Sequence, residues 1–345
     1  MKYSYFQWFF YLFLTILVSH CASAQKSAVP KSDQLPDWVT NPMKYYPEDE
    51  YIVGVGSGDT RQAAEDDAVG NIARVFQSKI NVDRTLIENY LETEGKNGEL
   101  TASTRMFQRT NVSTRTKLKN IKIDKTYFSS SEGLYYVLAY LNRRETASLY
   151  QKDILKNQDK IDEYIQHFRD EPNKLRKYAY ITKAIALSEI NALINEQYQI
   201  LTRGGNVTER ITKATLVKMR NDLLDRITVN IEPQGNAPQE IEQYLREVIA
   251  KTGFKISDRK GDFTIKYAFD IRKSNLKRRR VVAYNWKITV DVYDNLNNVA
   301  LNTFNVTQRT VAISKEEARA KAMRNAQKAL NKKFLKFFMA YISKV

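Results

Sequence analysis

The sequence is short of the side chains from which most reactive centres are built. Its 345 residues contain one cysteine, Cys21, and two histidines, His20 and His167. A lone cysteine excludes an internal disulfide, although an exported chain would be free to form one. One or two histidines cannot furnish the usual zinc sets, which take several His or Cys ligands. If residues 1–24 are removed, no cysteine nucleophile is left, and a Ser-His-Asp arrangement would have to use His167. His167 sits in Tyr164-Ile165-Gln166-His167-Phe168, on a polar-rich helix before Glu171-Pro172, and is expected at the surface. No cofactor is implied. Long hydrophobic runs are also missing: past the N-terminus no stretch is apolar enough to cross a bilayer.

The first residues are the exception. Lys2 precedes an apolar run from Tyr5 to Val18, rich in Phe and Leu, of the size of a signal-peptide h-region. Two processing readings follow. Ala22-Ser23-Ala24 before Gln25 is an A-x-A site for ordinary cleavage, giving a signal peptide over 1–24. Val18-Ser19-His20-Cys21 resembles a lipobox whose Cys21 would carry lipid, although His20 stands where a small residue is wanted. Both readings make the protein an exported one.

The remaining chain has globular composition, with 43% hydrophobic and 27% charged residues. We divide it into a flexible leader over 25–34, a first domain over 35–145, a helical hairpin over 146–225 and a basic domain over 226–345. In the first domain, Tyr51 to Gly56 reads as a strand. A helix follows, capped by Asp59 or Thr60, with Ala63, Ala64, Ala68, Ile72 and Phe76 inward. Ile80 to Leu118 is Thr-, Ser- and Arg-rich and reads as strands. Ile121–Ile123 and Leu134–Leu141 flank a turn-like Ser129–Gly133 cluster. The hairpin breaks at Glu171-Pro172-Asn173, and its second helix carries Ile190, Ile194, Tyr198 and Leu201 as an apolar stripe before Gly204-Gly205.

In the basic domain, Asn236-Ala237-Pro238 opens a helix with Ile241, Leu245 and Val248 inward. Alternating strands follow at Phe263–Ile271, Trp286–Val292 and Val299–Thr307. Ser314 then caps a long helix through Ile342, with Met323, Ala326, Leu330, Phe334, Phe337 and Tyr341 on one face. Its alternative is a membrane-surface helix burying Phe334, Phe337 and Phe338. The expected class is α+β: two antiparallel-sheet-plus-helix domains joined by a helical hairpin.

Leu35-Pro36-Asp37-Trp38, then Tyr51 to Gly58, then the Ala-spaced helix, then Tyr136-Val137-Leu138-Ala139-Tyr140-Leu141 occur in that order. This ordered set resembles the Lpp-twenty lipoprotein family of bacterial envelope proteins, and the related N-terminal domain of flagellar assembly protein T. The resemblance spans about residues 35–145. It implies an α+β domain, a periplasmic or outer-membrane-associated protein, and no assigned catalytic residues. The lipobox at Cys21 departs from the family pattern.

Two motifs invite chemistry. Gly54-Val55-Gly56-Ser57-Gly58 lies between strand and helix, but its G-x-G-x-G spacing lacks the G-x-G-x-x-G of dinucleotide sites. Glu65-Asp66-Asp67 offers carboxylates, yet consecutive helical residues point apart. The charge distribution says more. Of the net +16, residues 251–345 hold nearly all, with 22 Lys/Arg against 7 Asp/Glu. Arg272, Lys273, Lys277, Arg278, Arg279 and Arg280 are expected in one exposed, anion-binding loop between strands. Lys315, Arg319, Lys321, Arg324, Lys328, Lys332, Lys333 and Lys336 decorate the last helix.

Such polarisation speaks of partners and not of fold. The expectation is a non-enzymatic binding or scaffold protein of the envelope. Its partners would be an acidic envelope protein or an anionic component such as lipid head groups, lipopolysaccharide or wall polymer. Nucleic acid is disfavoured for an exported chain. The competing expectation is a carboxylate-dependent hydrolase of wall polymer, which needs two acids about 5 to 10 Å apart in a cleft.

Overall fold

The computed structural model describes residues 34–76, 84–94, 104, 120–274 and 281–344. Residues 1–24 with Cys21, nearly all of the expected leader, Lys277, Arg278, Arg279 and Arg280 lie outside the described residues. The chain divides into two compact units, 1–72 with 122–140 and 73–121 with 141–345.

The first unit is built on strand β1 (Tyr51–Gly58), helix α1 (Arg61–Val75), and strands β2 (Lys122–Ser129) and β3 (Leu134–Asn142). The strands form one antiparallel sheet in the order β1-β3-β2. Thr60, the second of the two expected caps, accepts the Ala63 N–H at 3.1 Å. Ala64, Ala68 and Ile72 are buried along α1 as their spacing requires. They face β1 through its glycines. A Cβ on Gly56 would stand 2.1 Å from the Ala68 nitrogen, and one on Gly54 would stand 2.4 Å from the Ala68 carbonyl oxygen. The glycine run therefore lets a helix backbone lie directly on a strand.

The Glu65-Asp66-Asp67 acids serve the same packing. Glu65 pairs with Arg61 at 2.8 Å, Asp66 accepts from Gln62 at 3.2 Å, and Asp67 accepts the Ser57 N–H at 3.1 Å. Beside the sheet, Tyr46 stacks on Tyr140 at 4.5 Å and meets the edge of Tyr51 at 5.1 Å. Burial, reinforced by a bond to Asp124, pushes the Tyr46 hydroxyl well above its ordinary pKa.

The second unit contains α2 (Arg84–Glu94), the long helices α3 (Arg143–Asp170) and α4 (Lys174–Thr202), α5 (Lys213–Leu224), and a sheet with its own helices. Helix α2 corrects the reading of strands across 80–118, most of which lies outside the described residues. Ile87, Tyr90, Leu91 and Glu94 are buried at helical spacing. The α3/α4 hairpin turns where Pro172 was expected to break it. Helix α4 ends on Arg203, which takes the left-handed conformation one residue ahead of the glycine pair.

Several polar groups buried in this helical layer pair with one another. Asn157 donates to Asn191 at 2.7 Å, Tyr164 donates to Glu94 at 3.0 Å, and Glu94 pairs with Lys183 at 3.0 Å.

The second sheet has the order β5-β4-β6-β7-β8. Its strands are β4 (Thr228–Pro233), β5 (Lys255–Ile256), β6 (Phe263–Ser274), β7 (Val282–Asp294) and β8 (Val299–Ala312). Strands β6, β7 and β8 form the antiparallel meander that alternation predicts. Strand β4 pairs parallel with both β5 and β6, because helix α6 (Gln239–Ala250) carries the chain back across the sheet before β5. The α+β class thus holds, with β4 and β5 added to what alternation shows and the second sheet mixed where an antiparallel one was expected.

Asn173 ties hairpin and sheet together. Its Oδ1 accepts the Leu175 and Arg176 N–H groups, which caps α4, while its Nδ2 donates to Asp294 Oδ2 at 2.7 Å. The other oxygen of Asp294 accepts the Leu296 and Asn297 N–H groups of the β7–β8 turn. Both residues are buried. Nearby, burial raises the Asp262 carboxyl, but bonds from Lys174 and Thr228 outweigh it and hold the pKa below the ordinary value.

Gly56→Ala should destabilise the first unit by roughly 1–3 kcal/mol or more, since the clash is with helix backbone; a urea titration that leaves stability unchanged would contradict this packing. Asn173→Ala and Asp294→Ala should each cost about 1–3 kcal/mol by leaving a buried partner unsatisfied. The double variant should lose less than the sum of the two, and strict additivity would show that the pair is not coupled. Because the Asp262 pKa is depressed in the folded state, its contribution is present above the unfolded value near 4 and is lost as pH falls through the folded value. Asp262→Asn should flatten that acid limb in a pH series of melting temperatures.

Candidate functional site

The basic domain places its cations by two periodicities. Strand alternation divides the expected loop. Arg272, at the end of β6, stands in one cross-strand row with Asn285 of β7 and Arg309 of β8. Two arginines thus flank one asparagine, roughly 10 Å apart at two strand spacings. Arg272 is half-neutralised by Asp270 at 2.6 Å, and Arg309 donates to Ser274 Oγ at 2.9 Å. Lys273 is exposed but alternates to the opposite face, across from Tyr284. The described part of the loop therefore brings Arg272 together with Arg309, and separates both from Lys273. Arg309 and its row were missed from sequence because they depend on the register of three strands. The signal was Arg309 inside an alternating run.

The second periodicity is helical. The last helix is α7 (Lys315–Ala329), a π-helical turn at Leu330–Phe334, and α8 (Leu335–Lys344). Ser314 accepts the Glu317 N–H at 3.1 Å, and Glu317 returns to accept the Ile313 N–H at 3.0 Å, a capping box. Ala318, Ala322, Ala326, Leu330, Phe334 and Phe338 are buried at successive steps of four. A straight α-helix would carry such a run off its own face, since 3.6 residues make a turn. The π turn absorbs the drift. It also explains why Phe338, and not the expected Phe337, is the buried aromatic of α8.

Burying that face turns the cations outward. Arg319, Arg324, Lys328, Lys332, Lys333 and Lys336 are all exposed, and none is ion-paired with another described residue. Some cations elsewhere in this unit are matched. Arg210 holds Asp159 and Asp162, Lys213 holds Glu189, and Arg246 holds Glu242 and Asp258. The last helix thus gathers six unpaired cations on consecutive turns. Membrane insertion of its aromatic face does not fit the packing, because Phe334 and Phe338 are 0% and 1% exposed.

Other candidates yield less. His167 is a surface residue, stacked on Tyr180 and 3.6 Å from Glu163. A cavity of about 10 Å³ lined by Gln158, Asp162, Asn191 and Glu209 has room for roughly one water, and Arg210 occupies its Asp162. Among the described residues no group of His, Cys, Asp and Glu is placed to hold a metal ion, and no helix is long and apolar enough to cross a membrane.

The first unit is an α-helix on a three-stranded antiparallel sheet, locked by glycine contacts. Residues 36–142 match the family model of the LPP20 lipoproteins, in agreement with the ordered motifs of the sequence. That match associates the chain with the bacterial envelope. Solved structures similar to this chain include a secreted protein of Helicobacter pylori, at 12% identity over 82% of this chain and 98% of that one, with a TM-score of 0.41. A minor lipoprotein of Acinetobacter baumannii is similar at 12% identity over 35% and 92%, with a TM-score of 0.26. The rare lipoprotein B of Shewanella oneidensis is similar at 13% identity over 33% and 93%, with a TM-score of 0.26. No curated protein matches the chain.

The unpaired helix cations should make binding to polyanions steeply salt-dependent, because each contact releases counterions or loses to screening. Retention on a sulfonated column should fall for Arg324→Gln with Lys328→Gln and Lys332→Gln, while Arg210→Gln, whose charge is matched by the exposed Asp159 and Asp162, should leave it nearly unchanged. Equal shifts for both variants would show that matched and unmatched cations do not differ.

Proposed function

We propose that this chain is an exported, non-catalytic binding or assembly component of the bacterial envelope, working in the periplasm or at the inner face of the outer membrane. The second unit would engage an anionic partner: an acidic envelope protein, lipid head groups, lipopolysaccharide or wall polymer. The observation that carries this reading is the row of exposed, unpaired Lys and Arg on the last helix. Uncompensated like charges raise the free energy of the folded chain and are relieved by an anion. The signal-peptide-like N-terminus and the LPP20 match support the envelope setting. Arg272, Arg309 and the sequence-expected Lys277, Arg278, Arg279 and Arg280 would extend the same field.

The test uses mature protein and vesicles of phosphatidylcholine with or without phosphatidylglycerol. The wild-type chain should bind the anionic vesicles at low salt and release them as salt rises. At roughly 1 kcal/mol per cation near an anionic surface, replacing Arg319, Arg324, Lys328, Lys332 and Lys333 with Gln should weaken binding at least tenfold. A parallel variant with Lys277, Arg278, Arg279 and Arg280 changed to Ser measures the loop separately. Binding that ignores salt and both variants would reject the reading. Crosslinking in intact cells would then identify the partner.

A further inference from the structure

Strand β8 presents more than the packing of its sheet requires. It runs for 14 residues at the end of the sheet order, and among the described residues no strand pairs with its far side. Edge strands are ordinarily blunted by charge, proline, bulges or brevity; β8 carries a single bulge, at Leu301 near its start. From Ala300 through Gln308, β8 has no charged residue and no proline, and its first cation is Arg309. Thr303, Asn305 and Thr307 are exposed along it. The open side is a row of backbone N–H and C=O groups suited to another strand.

The last helix packs on the sheet face and follows this strand from Ala312 to Phe304. Ala318 packs with Ala312, Lys321 Nζ donates to the Val311 carbonyl at 3.2 Å, and Phe334 and Phe337 meet Phe304 at 5.4 and 5.5 Å. Helix from Lys321 to Phe334 covers about 20 Å at its rise per residue. Strand from Val311 to Phe304 covers about 23 Å. The agreement of the two lengths means that helix and strand lie side by side, running in opposite directions. Lys321, Lys328 and Lys332 fall at i, i+7 and i+11, on one helix face. The bond from Lys321 to Val311 identifies that face as the one beside β8. An unpaired strand edge is therefore bordered by ammonium groups along its length. A second copy would bring the same lysines against them, whereas an acidic segment would neutralise them.

We propose that β8 takes up an extended acidic segment of a partner polypeptide as an additional strand. The segment's backbone pairs with β8, and its carboxylates reach Lys321, Lys328 and Lys332. The proposal rests on the anion-binding reading of this unit and narrows it to one partner chemistry.

The test uses the mature chain and a ten-residue peptide of alternating Glu and Val with blocked ends. Two controls are the same peptide with Gln for Glu and one with Pro at alternate Val positions. Amide hydrogen exchange of β8 and binding affinity are the readouts. The Glu/Val peptide should slow exchange at alternate β8 amides. Charge reversal at the three lysines (K321E, K328E, K332E) should weaken it at least tenfold, and the Gln peptide should bind as weakly as that variant. Because all three lysines are exposed, a circular-dichroism spectrum matching the wild type verifies the variant's fold. Equal binding of the Pro peptide would overturn strand addition. So would binding of phosphatidylglycerol vesicles without binding of the peptide, although the broader anion-binding reading would survive. β8 protection that depends on protein concentration without peptide would instead assign the edge to a second copy. Failure to bind any of these anions would remove both readings.

Discussion

An aromatic seam through the second unit sets which way the cations of the last helix face. Tyr178 of α4 meets Phe254 at 5.5 Å, Phe254 meets Phe338 at 6.1 Å, Phe338 stacks on Phe334 at 5.7 Å, and Phe334 meets Phe304 of β8 at 5.4 Å. All five rings are buried. Each contributes the burial of a large apolar surface, and edge or offset contacts add about 0.5–1.5 kcal/mol per pair. The seam fixes the rotation of the last helix about its own axis. With that rotation set, Lys321, Arg324, Lys328 and Lys332 have no choice but to face solvent.

The sequence carried this arrangement only in part. Ser314, the apolar run of the last helix and the alternation of β6 and β7 are local signals, and local signals survive in a single chain. The phase of α8 does not. Whether Phe337 or Phe338 turns inward depends on one extra residue taken up at Leu330–Phe334, and nothing in the apolar pattern marks a π turn. Arg309 was hidden for a related reason. Its neighbourhood with Arg272 exists only once β6, β7 and β8 are in register, and register is a long-range property. Helix α2 was obscured by composition: Thr and Arg around Arg84–Glu94 suggested strand, while Ile87, Tyr90, Leu91 and Glu94 kept helical spacing.

The first unit shows how a motif can look functional and be structural. A glycine run between strand and helix, followed by three acids, has the outline of a phosphate-binding turn. In the fold, the glycines are occupied by the backbone of Ala64 and Ala68, and Asp67 closes on the Ser57 N–H. The same N–H cannot receive a phosphate while it serves the helix. Spacing already argued against a dinucleotide, and the close contact supplies the physical reason for the glycines.

The contrast between matched and unmatched cations bears most directly on function. Exposed ion pairs contribute little to stability, on the order of 0–1 kcal/mol, so the pairs made by Arg210 and Arg246 are not what holds the unit together. What they change is the field. A cation within 3 Å of a carboxylate projects a dipole, which fades quickly, while a lone cation projects a charge that reaches about a Debye length, near 8 Å in physiological salt. The surface around those pairs therefore looks nearly neutral from outside. The last helix does not, and its spacing of one cation per turn keeps neighbouring charges inside one another's reach. A surface that served only solubility would gain as much from charges scattered over every element. On the last helix they stand turn after turn beside an unpaired strand, where attraction at a distance and hydrogen bonding at contact act on the same ligand.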